Sequence, residues 1–179
     1  PWRGEDDLSF SGTMLWDEDY FYFLAIVTDD VYYVNHQPSG VQFTYNGDGI
    51  QIGIDDRVDV NSVEATVFNE LNVGEVPGVG PDVYKQKAYY ADSPVGTVLE
   101  NAEVGFKRYD SYTVYECKIP GDDIYYQNYV VNPDNPMRFS VLANDNDGAG
   151  RKGLIQYTGG IGTVKNVMMF GPLVLKKKN

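Results

Sequence analysis

Two kinds of side chain are plentiful enough here to do chemistry: carboxylates set in pairs and triplets, and tyrosines. The carboxylates fall at Asp6-Asp7, Asp17-Glu18-Asp19, Asp29-Asp30, Asp55-Asp56, Asp122-Asp123 and Asn144-Asp145-Asn146-Asp147. Hard oxygen ligands carried on loops are what calcium takes, about six to eight at a time. A structural Ca2+ is therefore expected, with Asp29, Asp30 and Asp48 as candidate ligands. Asp145-Asn146-Asp147-Gly148 opens like an EF-hand loop, but Lys152 and Gly153 stand where the ligand pattern should continue. The 15 tyrosines each pair a broad apolar face with a hydroxyl, which suits the C–H face and polar rim of a pyranose. Tyr45 leads them because it adjoins Asn46-Gly47-Asp48-Gly49, a turn-forming run at the mouth of a strand, where a rigid scaffold presents binding groups.

Catalysis finds little support. Glycoside hydrolysis needs two opposed carboxylates, one with a raised pKa, and no acidic pair here stands in a catalytic signature. A Ser-His-Asp arrangement would have to use His36, the sole histidine, which has no nucleophile-elbow sequence near it. One histidine and one cysteine leave no zinc ligand set. Haem would have to pair His36 with Met14, Met137, Met168 or Met169, all of which suit core or strand positions better. A binding role is expected, without an enzyme activity.

The totals narrow the partners. A net charge of −12 repels phosphate backbones, and the same field disfavours anionic lipid and strongly acidic polymers. A neutral partner or a cation fits better, and Lys176-Lys177-Lys178 reads as a solvated basic tail. With 179 residues, 42% of them hydrophobic, the chain is expected to form one domain over 1–179. No apolar run approaches the roughly 18 residues that a membrane span requires. Cys117 has no partner for an internal disulfide and reads as a core residue of a strand. The chain opens at Pro1 without an initiator Met or a signal sequence, which suggests a monomeric module excised from a longer secreted protein.

The elements that must position these residues read as strands. Leu8, Phe10 and Met14 alternate with polar residues up to an acidic turn at 17–19, and 20–27 resumes as the second arm of a hairpin. After an aperiodic loop, Ile50, Ile52 and Ile54 alternate with Gln51, Gly53 and Asp55. Further strands are expected at 63–68, 83–91, 96–99, 103–109, 112–119, 138–143, 154–157 and 168–175, with a Gly- and Pro-containing loop at 69–81. Only 121–127 hints at a short helix. The expected fold is all-β, a two-sheet antiparallel sandwich of the jelly-roll or immunoglobulin-like kind with at most one short helix.

The order of landmarks resembles a known family. The run 15–30 (LWDEDYFYFLAIVTDD), then 45–55 (YNGDGIQIGID), then 139–145 with 150–157 (GRKGLIQY), then 170–175 (FGPLVL), is similar to the carbohydrate-binding modules of family 9 over about 8 to 176. An opening segment that family members carry before this region is missing. The resemblance implies a non-catalytic, calcium-bearing sandwich, secreted and attached to a glycan-active enzyme, that holds a neutral oligosaccharide or polysaccharide such as xylan or cellulose between two aromatic rings. Tyr45 falls where the family has one tryptophan, and Gln51 where its strand offers a polar group to sugar hydroxyls. The second tryptophan has no counterpart in 158–166, which lacks any aromatic residue. Tyr157 or another tyrosine then supplies the opposing face, or the ligand differs, or sugar binding has been lost. Arg151 and Asn166 complete the candidate sugar contacts, Arg151 having a loop salt bridge as its alternative duty.

Overall fold

The computed structural model describes residues 2–34, 45–57, 60–62, 64–89, 95–124 and 136–176. His36 lies outside them. Among the described residues, eleven antiparallel strands make two sheets: β1 (Leu8–Trp16), β2 (Tyr20–Asp29), β3 (Gly49–Asp55), β4 (Asn69–Val76), β5 (Gly80–Lys87), β6 (Thr97–Val98), β7 (Glu103–Arg108), β8 (Tyr112–Pro120), β9 (Met137–Asp145), β10 (Gly153–Gln156) and β11 (Gly171–Leu173). One sheet runs β1-β2-β8-β7. The other runs β10-β9-β3-β4-β5-β6, with β11 beside β10 on the same edge of β9.

Period-two alternation decides which side chains go inside. Ile50, Ile52 and Ile54 of β3 meet Leu71 and Val73 of β4, Val83 of β5 and Phe139 and Val141 of β9, packing against Phe21, Phe23, Tyr115 and Ile119 of the facing sheet. Phe23 and Phe139 lie in the same core with ring centroids 6.0 Å apart. Cys117 sits in this core, where burial pushes its thiol up to about 12 and leaves it unreactive at neutral pH. The hairpin at 17–19 is closed by Asp17, whose Oδ1 accepts from the amides of Asp19 (2.9 Å) and Tyr20 (2.7 Å).

Several sequence expectations differ locally from the structure. The strand expected at 63–68 is a 3-10 turn over Glu64–Thr66, and the supposed loop that follows it contains β4. Asn69, Glu70, Asn72 and Gly74 are poor strand formers, so they masked the inward alternation of Leu71 and Val73. The expected helix at 121–127 lies partly outside the described residues; within them, Gly121–Asp123 forms a single 3-10 turn with Pro120 at its N-cap. The expected strand 168–175 is a 3-10 turn, Val167–Met169, followed by the short β11.

The outer face of the larger sheet is not left to solvent. Phe68, Leu142, Ile161, Val167 and Phe170 form a second apolar layer over it. Gly53 of β3 admits that layer: a Cβ there would stand 2.5 Å from Phe170 Cζ and 3.1 Å from Ile161 Cδ1. Gly160 turns the covering segment at φ +103°, where a Cβ would meet the Asn166 carbonyl at 2.3 Å.

Candidate functional site

Beside this second layer the outer face opens as a cleft of about 260 Å³ lined by Tyr45, Gln51, Glu70, Gln86, Lys87, Arg151, Gly162 and Lys165. Its floor is the polar parity of three strands. Gln51 Nε2 donates to Glu70 Oε1 and to Asn72 Oδ1, both at 3.0 Å, and Asn72 Nδ2 donates to Gln86 Oε1 at 3.3 Å. A bulge in β5 opposite Glu70 and Leu71 inserts one residue, and both Gln86 and Lys87 line the cleft there. Lys165, from the segment between β10 and β11, donates to Glu70 Oε1 at 2.5 Å. Glu70 is 1% exposed, yet its Oε2 has no hydrogen-bond partner among the described residues. A buried carboxylate oxygen without a donor is costly, so this atom is built to receive one.

Two loops supply the remaining contacts and are tied to each other. Tyr45, half-buried, belongs to the turn at 45–48, and Arg151 to the loop joining β9 to β10. Asn146 donates its backbone N–H to Asp48 Oδ1 (2.8 Å) and its side-chain amide to the Asn46 carbonyl. Asp48 Oδ2 accepts from the Tyr33 amide. Among the described residues Arg151 makes no ion pair or hydrogen bond. Partial burial lowers its pKa and the nearby Tyr45 phenol raises it. Burial also lowers the Lys165 pKa, Glu70 opposes that, and the neighbouring charges of Lys87 and Arg151 lower it further.

Of the five sugar-contact candidates, Tyr45, Gln51 and Arg151 converge on the cleft, whereas Tyr157 and Asn166 do not line it. Tyr157, 65% exposed, lies beside Gly171. Asn166 caps the turn at 167–169, its Oδ1 accepting from the Met168 amide at 3.0 Å. Glu70, Gln86, Lys87 and Lys165 escaped the sequence reading. Only the faint alternation of Glu70 and Asn72 with Leu71 and Val73 could have pointed to the floor.

Behind the loop ties lies the acidic cluster. Carboxylate oxygens of Asp29, Asp145 and Asp147 come within 4.8 Å of one another. Asp29 Oδ2, Asp145 Oδ1 and Asp147 Oδ1 are buried without a hydrogen-bond partner among the described residues. Lys152 Nζ reaches Asp7 (2.6 Å), Asp147 (3.0 Å) and Asp145 (3.4 Å), while Arg3 reaches Asp7 (2.7 Å) and Asp30 (2.8 Å). Bonds from Lys152 and Arg3 hold the Asp7 carboxyl well below the usual range. Burial raises Asp29, Asp48 and Asp145 instead, and the nearby Asp29 charge raises Asp48 further. Three orphaned hard oxygens in a net-negative pocket fit calcium. Asp29 belongs to that triad; Asp30 pairs with Arg3, and Asp48 holds the backbone of the two loops.

Residues 2–178 match the family described as carbohydrate family 9 binding domain-like. The chain belongs to that family. It is a family of non-catalytic binding domains, in keeping with the lack of a catalytic signature in the sequence. A carbohydrate binding module of family 9 from Caldicellulosiruptor kristjanssonii, solved with glucose, superposes on this family 9 chain with a TM-score of 0.64 at 18% identity, covering 96% of this chain and 78% of that one. The same module solved with cellotriose gives 0.64 at 18%, covering 96% and 77%. A Bacteroides uniformis ATCC 8492 protein gives 0.62 at 8%, covering 94% and 79%. At these identities the likeness shows a shared sandwich. No curated protein matches the chain.

A second concavity, about 350 Å³, lies on the opposite sheet against Thr13, Leu15, Tyr22, Leu24, Glu103, Gly105, Glu116 and Lys118. Its Tyr22 hydroxyl already donates to Asp17 Oδ2 at 2.8 Å, and the ring stands 6.2 Å from that of Tyr20.

Proposed function

We propose that residues 1–179 act as one carbohydrate-binding module whose sugar lies in the Tyr45 cleft, anchoring an attached secreted enzyme to a polysaccharide. The observation that carries this reading is the unpartnered Oε2 of the buried Glu70, beside Gln51 and Gln86 and within the same cleft as Tyr45. A sugar offers hydroxyl donors to that oxygen and a C–H face to the phenol ring, a combination that water or an apolar ligand does not match. The family 9 neighbours solved with glucose and with cellotriose support the ligand class. The cleft lies below the roughly 300 Å³ at which small-molecule pockets begin, so it suits one ring of a glycan rather than an enclosed chain. Isothermal titration with glucose, cello-oligosaccharides and xylo-oligosaccharides tests it: saturable heat with at least one series is expected, and none with any glycan refutes sugar binding.

Calcium at Asp29, Asp145 and Asp147 belongs to the same proposal. It would neutralise the three orphaned oxygens and so brace the two loops that carry Tyr45 and Arg151. EDTA is expected to lower the melting temperature by several degrees, and added Ca2+ to restore it. At about 2–4 °C per kcal/mol for a chain of this size, that shift reports a site worth a few kcal/mol. An unchanged melt contradicts a bound structural calcium.

A further inference from the structure

The cleft has a charge the chain as a whole does not. The net charge is −12, yet Lys87, Arg151 and Lys165 converge on this one opening, with Glu70 as the sole acidic residue lining it among the described residues. Glu70 engages Lys165 through Oε1, and Lys87 and Arg151 have neither hydrogen bond nor ion pair among the described residues. Three like charges on one small cleft repel each other, and the remaining surface offers acids in abundance that are not used to quench them. An uncharged sugar would leave two of these cations unanswered.

We propose that the sugar recognised here is an acidic one, a uronic acid residue whose carboxylate binds Arg151 and Lys87 while a ring hydroxyl donates to Glu70 Oε2. This rests on the sugar-binding reading above and names its ligand class. A carboxylate matches the planar guanidinium fork in a bidentate pair, and a charge-assisted hydrogen bond is about twice as strong as a neutral one. The hydroxyl is needed as well. Glu70 requires a donor, which free sulfate or acetate lacks, and its negative charge repels an anion placed directly against it. A ligand that carries both a hydroxyl donor for Glu70 and a carboxylate for Arg151 and Lys87 therefore answers the whole lining. A long polyanion would meet the repulsion of the surrounding field, whereas a single acidic residue meets mainly the local cations.

Titration of the whole chain with methyl β-D-glucuronide, methyl β-D-glucoside and glucose 6-sulfate decides among the outcomes. The glucuronide is expected to bind at least about tenfold tighter than the glucoside, the gain from one good charge-assisted pair. Arg151→Gln should shrink that ratio towards one. Its side chain makes no hydrogen bond or ion pair among the described residues, so the variant should retain the wild-type melting temperature. Equal affinity for glucuronide and glucoside, or an unchanged ratio in Arg151→Gln, overturns the acidic-sugar inference while leaving sugar binding standing. Glucose 6-sulfate binding as tightly as the glucuronide overturns the carboxylate assignment. Binding of none of the three, with no heat from neutral oligosaccharides either, overturns the underlying sugar reading as well.

Discussion

Tyr45→Ala should weaken sugar binding about tenfold or more while leaving the fold intact. Ring contact contributes about 0.5–1.5 kcal/mol beyond the apolar area it covers, and about 1.4 kcal/mol is a factor of ten in affinity. The loss is large here because, among the described residues, no second aromatic ring lines the cleft to share the load. Tyr45→Phe separates the two parts of the phenol: it keeps the ring, so most of the affinity should persist if stacking dominates. Titration of the three proteins against the same oligosaccharide reads this out. Equal affinities for wild type and Tyr45→Ala would remove the ring from the site.

Gly53→Ala should destabilise the protein although it adds only a methyl group to a strand. That methyl would stand 2.5 and 2.7 Å from two ring atoms of Phe170, which is itself held edge-on against Phe68 at a centroid distance of 4.8 Å. Rigid overpacking costs about 1–3 kcal/mol, so the melting temperature should fall by roughly 2–10 °C. Combining it with Phe170→Leu should recover part of the loss relative to the sum of the single changes, because the clash is between those two side chains. Additive losses would mean that the outer layer does not pack on β3 in this way. The segment that carries Phe170 also brings Gly162 and Lys165 to the cleft, so the outer layer is what gives the site its second wall.

The strands with one apolar and one polar face were legible in the sequence. Ile50, Ile52 and Ile54 announced β3, and the glycine-bent turn before it placed Tyr45 at a strand mouth; Gln51 was singled out by the family resemblance and Arg151 by the fit of its guanidinium fork to vicinal hydroxyls. What escaped was a strand whose outward side chains are polar and buried. Glu70 and Asn72 look like loop residues by type, and only the tertiary cover of the outer layer makes them a floor. Tyr157 and Asn166 misled for a different reason. An aromatic at a strand end and an amide near a turn are equally suited to packing and capping, and here those local duties won. Net charge averages over the whole surface: an overall −12 says nothing of a single opening whose described lining holds three cations and one acid.

The most direct measurement is a crystal structure of the protein soaked with a monosaccharide, glucose or glucuronic acid. The account predicts the sugar in the cleft on the outer face of the larger sheet, its ring on Tyr45 and a hydroxyl donating to Glu70 Oε2. A sugar bound instead on the Tyr20–Tyr22 face of the opposite sheet, with the Tyr45 cleft filled only by water, would contradict it.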